Sequence, residues 1–224
     1  MPRPVETLKL TPEQRRVAHM AASLLLEYPG PEFATRMPLI ESSVAALPEP
    51  LAAEFATFLG HARAVSSTAL EQEYVATFDL KRKCCLYLSY YAAGDTRRRG
   101  TALVAFLEAY RAAGWEFEAD ELPDFLPAVL EFSARSDSPV AAELIAAHRE
   151  GLEVLRAALA RIDSPYAAVA SAVCMSLPEI DVATRERYLT LVNEGPPTET
   201  VGLSFLGNLA PYSPTGAPHE EVRA

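Results

Sequence analysis

The residues from which catalytic or metal sites are usually built are few in this chain, and they are poorly placed for either task. His19, His61, His148 and His219 are scattered, and none stands four residues from another. A zinc or iron site needs ligands at workable spacing. Cys84 and Cys85 adjoin each other without a nearby His or third Cys, so buried thiols are the plain reading and a metal or redox role a remote one. There is no GxSxG elbow, no Walker loop and no GxGxxG following a strand. No Ser/His/Asp set stands out and no loop cradles phosphate. These residues point away from an enzyme, and no metal and no cofactor of the chain's own is expected.

The charges say more. The formal net charge of the 224 residues is -10, which suits a partner carrying positive charge better than nucleic acid or anionic lipid. Within this acidic chain lies a basic island, Lys81, Arg82, Lys83, Arg97, Arg98 and Arg99, whose stretch contains Asp95 as its one acid. An acidic counterpart follows: Glu116, Glu118, Asp120, Glu121, Asp124 and Glu131 surround Trp115 and the next helix. A charge run is ordinarily a solvated face. The sharper reading makes one of the two segments part of a recognition surface.

The elements that must position these charges are helical. Half of the residues are hydrophobic, enough for one sizeable core or two small ones. They recur at helical spacing, Ala is abundant, and strand alternation is nearly absent. Thr11-Pro12-Glu13-Gln14 is a capping box with Pro at the first helical position, and the helix it opens should run to about Tyr28. Helices are expected over Glu32 to Ala46, from Pro50 past Phe58, and after a capping-box spacing at Thr68 to Glu71. In the last of these Leu70, Tyr74 and Phe78 share a face. A further helix should pass through Leu86, Tyr87, Tyr90 and Tyr91 and end at Gly94. The next carries Leu103, Phe106, Leu107 and Tyr110 inward and stops at Gly114. Pro123 should open a short helix to Arg135. Ser138-Pro139 should open a longer one with Leu144, Ile145, His148, Leu152, Leu155 and Leu159 on one side. Ser164-Pro165 opens another, and Asp181 caps the last.

The fold class read from this is all-α: one globular domain of about eight to ten helices over residues 11–193. It is flanked by a flexible N-terminus, 1–10, and a loose Pro/Gly-rich tail, 194–224. Val201 to Leu206 is an apolar strip in that tail, read either as a docking strip on the core or as a competitor folding onto the chain's own groove. Met1 to Leu10 lacks the apolar core of a signal peptide, and the run Val17 to Leu26 is too short to span a bilayer. With its few cysteines, the chain fits the reducing cytoplasm.

Some residues read two ways. Leu86, Leu103, Phe106, Leu107 and Leu130 are core by periodicity. Tyr90 and Tyr91 divide between core and surface, because neighbours on one helix cannot both face inward. Gly94-Asp95-Thr96-Arg97 is either a helix-to-helix turn, with Asp95 capping, or a place where Arg97 or Arg99 meets a partner or an internal carboxylate. Asp124 and Glu131, seven positions apart, would share one helix face as solvated carboxylates or as a groove wall.

Two segments carry a family resemblance. The run Tyr74-Val75-Ala76-Thr77-Phe78-Asp79-Leu80-Lys81-Arg82-Lys83-Cys84-Cys85-Leu86-Tyr87-Leu88-Ser89-Tyr90-Tyr91, followed by Gly94-Asp95-Thr96-Arg97-Arg98-Arg99-Gly100, closely resembles the signature region of NarJ-type nitrate reductase assembly chaperones. Leu122-Pro123-Asp124-Phe125-Leu126-Pro127-Ala128-Val129-Leu130-Glu131-Phe132 resembles the LPD-x-LP-x-x-LEF segment of the same family. The wider group includes the TorD and DmsD chaperones of molybdoenzymes, and the resemblance runs from Thr11 to Val192. Phe125 stands where many members of the wider group have His, so a polar contact there is not carried over; Asp124 remains.

The resemblance implies a TorD-like fold and a non-catalytic role. Such a chaperone binds the N-terminal segment of the apo catalytic (alpha) subunit of respiratory nitrate reductase in the cytoplasm. It holds that subunit while molybdenum cofactor and an iron–sulfur cluster are inserted before membrane attachment, with proteins of molybdenum cofactor biosynthesis as further partners. The client-binding residues implied are Tyr74, Phe78, Tyr87, Tyr90, Tyr91, Asp95, Arg97, Arg99, Asp124, Phe125, Pro127 and Glu131. The alternative from another class is a permanent structural subunit or helical adaptor of a molybdoenzyme complex, whose surface would be more uniformly apolar.

Overall fold

The structure, a computed structural model, describes residues 5–118 and 120–177. The expected cap at Asp181, the boundary at residue 193 and the strip Val201 to Leu206 lie outside the described residues. Ten α-helices and no β-strand occur among the described residues. They are α1 (Pro12–Leu26), α2 (Phe33–Val44), α3 (Glu49–Ala64), α4 (Ser67–Tyr74), α5 (Ser89–Ala93), α6 (Arg98–Ala112), α7 (Leu126–Arg135), α8 (Pro139–Ala147), α9 (Arg149–Arg161) and α10 (Tyr166–Ser176). The all-α class read from periodicity is therefore the class observed.

Local chemistry fixes several ends. At the start of α1, the Gln14 N–H donates to Thr11 Oγ1 (3.2 Å) and the Thr11 N–H to Gln14 Oε1 (3.0 Å), satisfying two donors that helix geometry leaves without partners. The start of α4 differs from expectation: Ser66, not Thr68, accepts from the Ala69 N–H (3.2 Å). Ser66 has the extended backbone a cap requires.

α1 is the hub. It packs most extensively on α7, then on α10 and α2, while α10 also packs on α9 and α3. Its inner face, Ala18, Ala21, Ala22 and Leu25, is mostly small and fully buried, which lets helix axes approach closely. Polar groups lock the junction. Ser23 Oγ donates to the Pro127 carbonyl (2.8 Å). His19 sits between Ser133 of α7 (2.9 Å) and Ser176 of α10 (2.8 Å). At the far end of α10, buried Arg149 donates to the Cys174 and Leu177 carbonyls (2.9 and 2.8 Å) and adjoins Glu153, which also receives Arg156 Nε (2.9 Å). Leu8 N–H donates to the Met175 carbonyl (2.8 Å).

Three expected helices are corrected. Residues through Leu86 and Tyr87 are not helical: a single 3-10 turn, Arg82–Cys84, leads into an extended stretch, and the helix is confined to α5. Tyr90 and Tyr91, neighbours within α5, are both buried rather than divided between core and surface, with Arg82 lying over the Tyr90 ring. Tyr91 Oη donates to the Cys85 carbonyl (2.7 Å), and its ring packs so tightly on α9 that a Cβ added at Gly151 would lie 2.9 Å from Tyr91 Cβ. Second, α7 starts at Leu126 rather than Pro123. Third, the long helix after Ser138 is broken at His148 into α8 and α9. There the imidazole Nδ1–H donates back to the Leu144 carbonyl (2.8 Å) and the ring stacks on Phe106 (4.7 Å between centroids). Leu103 and Leu107, read as core, are only half-buried, while Phe106 and Tyr110 are buried.

Candidate functional site: an acid-rimmed aromatic cleft

α4 delivers Leu70 and Tyr74 to the core, and the chain then takes one wider π-type turn over Val75–Asp79, closed by Leu80 N–H to the Val75 carbonyl (3.2 Å). Such turns are commonly found at functional sites. Here the turn keeps Phe78 on the side of Tyr74, their ring centroids 4.8 Å apart. Both rings rest on Tyr166 of α10, which also meets Phe58 of α3.

The opposite wall is an antiparallel pairing of two short extended pieces. Tyr87 and Phe125 form an isolated bridge. Leu88 N–H donates to the Asp124 carbonyl (2.9 Å) and Leu126 N–H to the Leu86 carbonyl (2.8 Å). This pairing holds residues 122–125 out of helix, and it places the Tyr87 and Phe125 rings 5.5 Å apart.

Between these walls lies a cleft of about 320 Å³ lined by Glu27, Tyr28, Tyr74, Phe78, Asp79, Cys85, Leu86, Tyr87, Glu121 and Phe125. Its lining holds three carboxylates and no Lys or Arg. Tyr28, 52% exposed, stands at the mouth edge-on to Tyr74 (5.5 Å). Tyr87 Oη donates to Glu121 Oε2 (2.9 Å). Burial and that carboxylate push the Tyr87 hydroxyl up to about 12, so it stays protonated. Partial burial raises the Glu27 carboxyl, nearby Arg36 lowers it, and Glu131 raises it again. Aromatic faces beside carboxylates attract cations and apolar groups together.

Of the residues singled out from the sequence, Tyr74, Phe78, Tyr87 and Phe125 line this cleft. The others do not. Asp124 is wholly buried beneath the wall, where its Oδ2 accepts from Ser89 N–H (3.1 Å) and Ser89 Oγ–H (2.6 Å). The shared helix face for Asp124 and Glu131 is corrected accordingly, because Asp124 precedes α7; Glu131 pairs with Arg135 (2.6 Å). Pro127 is buried in the first turn of α7. Asp95 does not cap α6. It is held by Arg82 (2.9 Å) and Arg99 (3.8 Å), and Arg82 Nε also donates to Tyr90 Oη (2.5 Å). The turn itself uses Gly94 at φ 59° and Thr96 Oγ1 donating to the Ala93 carbonyl (2.7 Å). Arg99 lies 5.4 Å from the Tyr87 ring centroid, bracing that wall. Arg97 is exposed at the start of α6.

Glu27, Tyr28, Asp79, Cys85 and Leu86 are cleft residues that the sequence reading does not assign to binding, and Glu121 enters it as a member of the acidic segment. The signal for Glu27 and Tyr28 was their position at the end of α1, just before the Pro29-Gly30-Pro31 stop. Among the described residues no cluster of His, Cys, Asp or Glu is arranged to hold a metal ion. None of the described helices is long and apolar enough to cross a membrane.

Fold and site together define an all-α protein with an acid-rimmed aromatic cleft at the junction of α1, the turn after α4 and the entry to α7. Residues 44–171, more than half of the chain, match the family described as nitrate reductase delta subunit, and the chain belongs to that family. It is 35% identical over 158 residues to the nitrate reductase-like protein NarX of Mycobacterium tuberculosis (strain H37Rv), covering 70% of this chain and 24% of that protein. It is 28% identical over 169 residues to the probable nitrate reductase molybdenum cofactor assembly chaperone NarJ of Bacillus subtilis (strain 168), covering 75% of this chain and 92% of that one. It is 31% identical over 148 residues to the nitrate reductase molybdenum cofactor assembly chaperone NarJ of Escherichia coli (strain K12), covering 65% and 63%. The chain thus spans about a quarter of the length of the NarX relative and most of the Bacillus one.

Proposed function

We propose that this protein is a cytoplasmic assembly chaperone, without catalytic activity, for a respiratory nitrate reductase. It binds the N-terminal segment of the apo catalytic subunit. It keeps that subunit open to molybdenum cofactor and iron–sulfur cluster insertion, and leaves before membrane attachment. Membership of the delta-subunit family and the names of the two NarJ relatives support the assembly role. The observation that carries the peptide-binding part is the cleft, in which Tyr74, Phe78, Tyr87 and Phe125 offer apolar walls and Glu27, Asp79 and Glu121 a negative rim. A groove of this kind takes the apolar side of a segment and fixes its direction by charge. Asp124, Tyr90, Tyr91 and the Arg82–Asp95–Arg99 group serve it indirectly, by holding residues 82–89 in place.

Capture by the immobilised protein tests the reading. Apo catalytic subunit should be retained, and removal of its N-terminal segment should abolish retention. Mature cofactor-loaded enzyme should pass through. Equal retention of mature enzyme would instead indicate a permanent subunit.

A further inference from the structure

The cleft does not end at its own rim. Glu27 and Tyr28 also line a neighbouring hollow of about 260 Å³, which continues past Leu24, Phe33 and Arg36. Leu24 and Arg36 in turn line a third depression of about 520 Å³ between α1 and α2, walled by Val17, Met20, Leu39 and Ile40 and ending at Arg16. Leu39 is 70% exposed, high for so large an apolar side chain. Along α1 the large side chains facing these depressions are Val17, Met20, Leu24 and Glu27, with Ala21 at the inner margin. They form one helical stripe, beside the buried stripe Ala18, Ala22 and Leu25 that faces the core. From Val17 to Glu27 the stripe extends about 15 Å at the usual rise per residue.

The polarity of this surface is graded. At the C-terminal end of α1 stand Glu27, Asp79 and Glu121. In the middle, Arg36 is engaged by Glu32 (2.5 Å) and Glu27 (3.5 Å). At the N-terminal end stands Arg16, ion-paired with Asp137. Both partners of that pair are substantially exposed, so it is weak and open to exchange.

We propose that the trough between α1 and α2 is the second half of the client site, taking an amphipathic helical segment of about three turns that lies antiparallel to α1. The proposal rests on the chaperone reading above. The length of the apolar stripe matches about ten helical residues. A helix carries partial positive charge at its N-terminus and partial negative charge at its C-terminus. Its start, together with any basic side chain there, is therefore drawn to the acidic cleft, and its end to Arg16. Its apolar face covers Met20, Leu24, Leu39 and Ile40, as in other helix-in-groove complexes.

Two measurements with a synthetic peptide copying the N-terminal segment of a nitrate reductase catalytic subunit test this. In the first, a benzophenone side chain is placed in the peptide's first turn or in its last. The first form should cross-link to cleft residues such as Tyr28 or Phe125, and the second to Met20 or Leu39. In the second, calorimetry should show that Leu39→Asp, a change at an exposed position that leaves the fold alone, weakens binding about tenfold. Reversed cross-links would overturn the direction. Cross-links confined to the cleft, with Leu39→Asp binding unchanged, would overturn the trough while leaving the cleft and the chaperone function standing. Absence of saturable binding by the unaltered protein would overturn both.

Discussion

Replacing Asp124 by alanine is expected to cost about 2–4 kcal/mol of stability, read as a lower urea midpoint in circular dichroism. The carboxylate is fully buried and accepts two hydrogen bonds from Ser89, one from the backbone and one from the hydroxyl. Alanine leaves both Ser89 donors in a dry interior without an acceptor. A buried donor stripped of its partner loses its full solvation, about 1–3 kcal/mol. Asp124→Asn retains an acceptor oxygen and should recover most of the loss. The consequence for function is indirect. Ser89 opens α5, and α5 carries the tyrosine that fixes the Cys85 carbonyl beside the cleft wall. An alanine variant within about 0.5 kcal/mol of the unaltered protein would show that the Ser89 clamp is unimportant.

The second large effect is acid sensitivity centred on His19. Ser176 Oγ donates to the Val173 carbonyl (2.6 Å), so its oxygen accepts from His19 Nε2–H, and Ser133 Oγ–H donates to Nδ1. This arrangement holds a neutral imidazole. Burial, helped by the charge of Arg15, lowers its pKa from 6.5 to about 3. Below pH 6.5 the unfolded chain takes up a proton that the folded chain refuses. Stability is therefore complete above that pH and falls as pH drops toward 3, by about 1.4 kcal/mol per pH unit. Burial lowers the largely buried His148 as well, with the same sign. Glu27 and Glu54, whose carboxyls are raised by burial, act in the opposite sense. Comparison with His19→Gln removes their contribution. Urea unfolding at pH 6.5 and pH 5 should show a loss about 2 kcal/mol greater in the unaltered protein than in the variant. Parallel losses would mean that His19 is not held neutral.

What could be read from the sequence was local. The Thr11 box, the Pro-led starts of α1, α3 and α8, and the stop at Gly114 depend on residues a few positions apart, and they stand in the structure. The break at His148 was hidden, because Leu144 through Leu159 keep one apolar period across it and the cause is a ring contact with Phe106 of α6. The stretch 85–88 read as helix because Leu86, Tyr87, Tyr90 and Tyr91 fit helical spacing. Its extended form is imposed by pairing with residues 124–126, nearly 40 positions away. The same separation explains the site. Tyr74 and Phe78 were visible as a stripe, and Tyr87 and Phe125 through the family segments. Glu27 and Tyr28 join them only because α1 packs along α7 and ends beside Tyr74. Asp124 reads from the sequence as a charge for a partner, whereas its neighbours turn it inward.

On the proposed function, the acid-rimmed cleft receives the client segment. Calorimetric titration with the client peptide addresses this most directly, using the unaltered protein and an Asp79→Lys/Glu121→Lys double variant. Both side chains are exposed on the rim, so the urea midpoint should stay nearly unchanged while two cations face the incoming segment. Saturable binding by the unaltered protein, weakened at least about tenfold in the variant and reduced by added salt, is the predicted result. Equal affinity in the two proteins would contradict it and move the client site away from this cleft.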